Sequence, residues 1–151
     1  MLRWLIALSA VLFLFLGFAS DPAQAAEVLT IPSAEVLRIG DSNRSLSLRL
    51  ACIEVPTEQA SQARAELQTA LPRRTRVNLR LTGQEQTPPR YVGEVTRVSD
   101  GLKVNQWLLE QGLAKIRASE LGTCAQPEAY QLAETTARDA QRGVWHAPPS
   151  T

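Results

Sequence analysis

Ser45-Leu46-Ser47-Leu48-Arg49-Leu50-Ala51-Cys52-Ile53 sets leucines at alternate positions against Ser and Arg. A period of two predicts a strand with one face in a core, and it puts Arg49 on the face opposite the leucines. Upstream, Val28-Leu29-Thr30-Ile31 and Val36-Leu37-Arg38-Ile39 read as two more strands, broken by Pro32-Ser33-Ala34. Gly40-Asp41-Ser42-Asn43 reads as the turn into the third.

Downstream the period changes. Pro56-Thr57-Glu58 opens a helix, with Thr57 as its cap. Ala60, Ala63, Leu67, Ala70 and Leu71 recur at helical spacing until Pro72 stops them. Thr75 to Leu81 alternates again, and a loop from Gly83 to Pro89 leads to a strand over Tyr91–Val98. A short helix spans Val104–Gln111 and ends at Gly112, followed by a strand-like Leu113–Ile116. The last helix is Glu128–Gln141, with Ala129, Ala133, Thr136, Ala137 and Ala140 on one face and Gly143 at its end. Strands first, one helix after the third strand and helices at the end predict an α+β fold. A five-stranded Greek-key β-barrel is the economical solution.

The N-terminus tells a separate story. Arg3, the apolar run Leu5–Phe18 and the exit Ala23-Gln24-Ala25 have the three parts of a secretory signal peptide. The run is shorter than the roughly 17–25 residues of a spanning helix; an uncleaved anchor is the alternative. We therefore expect a signal peptide over 1–25, a folded domain over 26–146 and a short tail over 147–151, in a periplasmic or extracellular protein, taken as a monomer. About 126 residues would remain, enough for one core. With 16 Lys+Arg against 15 Asp+Glu, the chain has no long-range field to gather nucleic acid, so any anion binding must be local. An exported chain can oxidise Cys52 and Cys124 to a disulfide, which we expect here; two separate thiols are the alternative.

Three segments carry a resemblance. Arg49-Leu50-Ala51-Cys52-Ile53-Glu54-Val55-Pro56 resembles the R-L-x-x-I-D-x-P-E segment of the staphylococcal nuclease (thermonuclease) family. Asp100–Ala114 is similar to that family's D-G-x-x-V-N-x-x-L-V-x-x-G-L-A block. Tyr130, Glu134, Ala137-Arg138 and Gly143-Val144-Trp145 resemble its closing helix. The resemblance implies an OB-fold barrel packed against three helices. It also implies calcium-dependent hydrolysis of phosphodiesters in DNA and RNA, by two metal-binding Asp, a general-base Glu and two phosphate-clamping Arg.

The site positions depart from that pattern. Glu35 and Glu54 stand where the metal ligands belong, and Arg49 matches the first clamp. The base position holds Thr57, with Glu58 beside it. The second clamp is missing: Tyr91 runs into Val92-Gly93-Glu94, and Arg90 precedes the tyrosine. A lost general base costs about 10²–10⁴ in rate and a lost charge-stabilising donor about 10²–10³, so impaired catalysis is expected.

The candidate residues are therefore Arg49 and Glu58 for catalysis and Glu35 and Glu54 for calcium. Arg49, Arg74, Arg76, Arg80 and Tyr91 are the candidates for nucleic acid or another phosphate-bearing anion. Each has a plain alternative: a salt bridge for Arg49, solvated carboxylates for Glu35 and Glu54, a solvated sheet face for the arginine row. Three classes stay open: a residual phosphodiesterase, a non-catalytic anion binder and an exported interaction module.

Overall fold

The computed structural model describes residues 25–146. The expected signal peptide and the tail lie outside the described residues, apart from Ala25. The leucine alternation becomes β3 (Arg44–Leu50), which pairs antiparallel with β2 (Val36–Asp41), itself antiparallel to β1 (Ala26–Thr30). After a two-residue β4 (Ile53–Glu54) the chain makes helix α1 (Ala60–Ala70), then the long hairpin of β5 (Arg76–Gln86) and β6 (Pro89–Arg97). β6 runs parallel to β3, and β5 returns to β1, closing a barrel in the order β1-β2-β3-β6-β5. Helix α2 (Val104–Glu110), the short β7 (Lys115–Ile116) and helix α3 (Pro127–Asp139) complete the α+β fold. No helix of the described residues is long and apolar enough to cross a membrane.

Leu37, Ile39, Leu48, Leu50, Val77 and Val95 fill the barrel; α1 adds Ala63 and Leu67, and α2 adds Val104, Leu108 and Leu109. Asn105 is buried with them. It donates to the carbonyls of Ala51 (2.9 Å) and Gly93 (3.2 Å) and accepts from the Val95 amide (3.0 Å). One side chain thus satisfies backbone groups at the end of β3 and along β6, which fixes α2 against the barrel.

Four expectations need correction. Thr57 does not cap a helix: it opens a 3-10 turn (Thr57–Gln59), and α1 starts at Ala60 with no side-chain cap. Gly83–Pro89 is not a loop, because β5 continues to Gln86 through a register shift between Leu81 and Gly83. β3 ends at Leu50, one turn short of Ile53, where Cys52 takes a left-handed φ of 68°. The buried face of α3 consists of Tyr130, Ala133 and Ala137, while Thr136 and Ala140 are exposed.

The disulfide is formed. Cys52, in the turn after β3, is bonded to Cys124, just beyond the 3-10 segment Ala118–Thr123.

Candidate active site: a cleft closed by ion pairs

Period two correctly puts Arg49 opposite the leucines, yet its side chain is only 7% exposed. Two other pieces of chain cover that face. The far end of the β5–β6 hairpin brings Glu85, and the 3-10 segment brings Glu120. Arg49 Nε donates to Glu85 Oε1 at 2.6 Å, and Nη2 is bonded to Glu120 Oε1. Nη1 donates to the Leu50 carbonyl at 3.1 Å. All three nitrogens are engaged. Burial disfavours the Arg49 charge, but Glu120 and then Glu85 outweigh it and raise the pKa.

Glu85 also accepts from Arg90, its cross-strand partner in the hairpin. Arg90 first and Arg49 second hold the Glu85 carboxyl below the usual range, against burial. Arg90, which precedes Tyr91 and so misses the second clamp position in sequence, therefore reaches the cluster indirectly. Its Nε is bonded to Glu85.

Antiparallel pairing of β4 with β7 sets Glu54 opposite Lys115 and Ile53 opposite Ile116. Arg117 follows directly. Its Nη2 donates to Glu35 Oε2 at 3.2 Å, its Nη1 lies 3.7 Å from Glu54 Oε2, and its Nε lies 3.7 Å from Glu120 Oε1. Glu35 Oε1 accepts the Val55 amide at 2.6 Å. The structure therefore brings Glu35, Arg49 and Glu54 into one network, linked by Arg117 and Glu120. Glu58 makes no hydrogen bond or ion pair among the described residues and sits exposed on the 3-10 turn. Tyr91, 37% exposed, lies on β6 beside Leu48 of β3, next to the cluster.

Calcium needs six to eight oxygen ligands in a negatively charged cage. Here the positive charge between Glu35 and Glu54 is already supplied by the Arg117 guanidinium, and each Glu35 oxygen already accepts a hydrogen bond. No group of three or more metal-ligating side chains occurs among the described residues. The donors as arranged do not fit the ion.

The arginine row separates in space. Arg74 precedes β5 with a φ of 71°, and Arg76 is exposed at the strand's start. Arg80 is bonded to Glu94 (2.6 Å) and to the Thr123 carbonyl (3.0 Å), so it joins β5 to the disulfide-bearing segment.

The motif residues that carry the resemblance serve the fold. Tyr130 donates to Glu94 at 2.8 Å, Glu134 accepts the Ile116 amide at 2.9 Å, and Arg138 pairs with Glu134 at 3.2 Å. The backbones of Gly112 and Gly143 touch, with the Val144 amide donating to the Gly112 carbonyl at 2.9 Å. A family model described as staphylococcal nuclease homologue matches residues 47–147. The chain belongs to the staphylococcal nuclease homologue family. No curated protein matches the chain. In this nuclease homologue, Glu85, Arg117 and Glu120 are the site residues that sequence reasoning missed. Only the pairing of β4 with β7 and the length of the β5–β6 hairpin reveal them, and neither leaves a local signature.

Proposed function

We propose that this chain is an exported, non-hydrolytic nuclease homologue that binds phosphate-bearing anions through surface arginines rather than through the family's cleft. The observation that carries the reading is the engagement of all three Arg49 nitrogens, which commits four of its five N–H groups within the protein. A phosphate clamp must offer free N–H donors, and these three nitrogens already face Glu85, Glu120 and a carbonyl. The cluster as a whole sets Arg49, Arg90 and Arg117 against Glu35, Glu54, Glu85 and Glu120, one more carboxylate than guanidinium, so it repels a phosphodiester. The disulfide supports export, because such bonds persist in oxidising compartments. Arg74 and Arg76 remain exposed and are the arginines of the row left for an anion.

The test is direct. Oxidised protein lacking residues 1–25 is incubated with single-stranded DNA and calcium, with and without EDTA. No cleavage above buffer is expected, and calcium should leave the melting temperature unchanged. Robust EDTA-sensitive cleavage would sink the reading.

A further inference from the structure

The barrel end where α1, β5 and β6 meet is remote from the closed cleft. Arg76 stands nine positions from Glu85 along β5, roughly 30 Å of extended strand. A groove of about 440 Å³ opens there, and none of its lining residues is acidic. Its walls are apolar at Ala70, Pro72 and Val98, the last 43% exposed. Arg97 forms a fixed part of the wall: Nε and Nη2 grip Asp100 (2.9 and 2.6 Å), and Nη1 donates to the Ala70 carbonyl. The Arg97–Asp100 pair is electrically neutral. Arg76, which stands opposite Glu27 in the β1–β5 pair, makes no ion pair or side-chain hydrogen bond among the described residues, and neither does the hydroxyl of Ser99, which lines the same groove. Pro72 also borders a second groove, lined by Arg64 and Arg73 and again by no carboxylate.

Resting on the anion-binding reading above, we propose that this groove is the anion site and that it takes a small soluble phosphate ester with an apolar body. The phosphate would be held by Arg76 and Ser99 and the body would lie on Val98 and Pro72. The volume suits a small ligand, and two polar donors, Arg76 and Ser99, among apolar lining residues are the usual composition of such sites. Arg73, across Pro72, adds to the local positive field. No Tyr or Trp lines either groove, so bases have no stacking platform there, which argues against a nucleic-acid strand as the occupant. The proposal deepens the anion-binding half of the function proposed above and does not depend on the cleft being closed.

Calorimetry on the oxidised protein, with phenyl phosphate, inorganic phosphate and phosphatidylglycerol vesicles as separate probes, decides it. Phenyl phosphate should bind more tightly than inorganic phosphate, and added salt should weaken both. Arg76→Ala should weaken phenyl phosphate roughly tenfold, the loss of one charge-assisted contact. Val98→Ser should shrink the gap between the two soluble probes. Arg44→Ala, which removes the same charge at the start of β3, should leave binding unchanged. Binding to vesicles alone, no preference for the phenyl ester, or an Arg76→Ala variant that binds like wild type would each overturn the site. The cleavage assay is untouched by these outcomes, so the two proposals fail separately.

Discussion

Glu120 holds two groups that lie 71 and 68 positions from it in sequence: one oxygen is bonded to Arg49, and the other accepts the Cys52 amide at 2.8 Å. Replacing it by Ala leaves the Arg49 guanidinium buried with Glu85 as its remaining carboxylate. Removing one member of a buried pair typically costs about 3–5 kcal/mol, because the surviving charge is uncompensated. Because Glu85 still pairs with Arg49, Glu120→Ala should lose less than that, about 1–3 kcal/mol in urea unfolding, and still more than an exposed Glu128→Ala. Tyr130 makes a pH prediction. Burial, and then its bond to Glu94, push its hydroxyl well above the ordinary value near 10. Above about pH 10 the unfolded chain releases this proton while the folded one keeps it. The contribution to stability is thus complete below that pH and declines above it. Urea unfolding at pH 8 to 11 should show that decline in wild type and a weaker one in Tyr130→Phe. Asp100 moves the other way: Arg97 holds its carboxyl at about 2, so its pairing should persist until strongly acidic pH.

At the scale of elements, the C-terminal ends of α2 and α3 cross with backbone against backbone. A Cβ at Gly143, where φ is 54°, would lie 2.0 Å from the Gly112 carbonyl oxygen. One at Gly112 would lie 2.2 Å from the Arg142 oxygen. Gly143→Ala combines a left-handed backbone with a clash that no side-chain rotation relieves. A loss of about 3 kcal/mol or more is expected, read as a fall in melting temperature. Gly101→Ala, also at positive φ but with open space around it, should cost only about 1 kcal/mol. The β5–β6 hairpin shows what sequence pattern conceals. Gly83, Pro88 and Pro89 read as loop, but a register shift absorbs Gly83 and the strands continue on both sides of a tight turn. That extension carries Glu85 and Arg90 to Arg49.

Across the whole molecule, the Cys52–Cys124 disulfide joins the barrel to the segment bearing Glu120, at a sequence separation of 72. A loop of that length corresponds to roughly 4 kcal/mol of chain entropy. Reduction with alkylation should lower the unfolding free energy by about that amount, measured against the oxidised protein in the same buffer. All five barrel strands, three helices, the barrel class and the cysteine pair are legible in the sequence. Each rests on local periodicity, on Gly and Pro punctuation, or on the expected signal peptide with its oxidising implication. The family is legible too, because its motif residues Asn105, Gly112, Tyr130, Glu134 and Gly143 bear the packing of helices on the barrel. The state of the cleft is not. Alternation states that Arg49 leaves the leucine core, but not whether it meets solvent or other chain. Glu85 and Glu120 reach it from two distant segments, Arg117 beside Glu120 ties in Glu35 and Glu54, and no local pattern records a long-range ion pair. Local pattern is enough for the nuclease-homologue barrel, because periodicity and punctuation are properties of neighbouring residues. The engagement of Arg49 by Glu85 and Glu120 follows from the fold in three dimensions, since burial and charge pairing depend on which distant residues share a few ångströms of space.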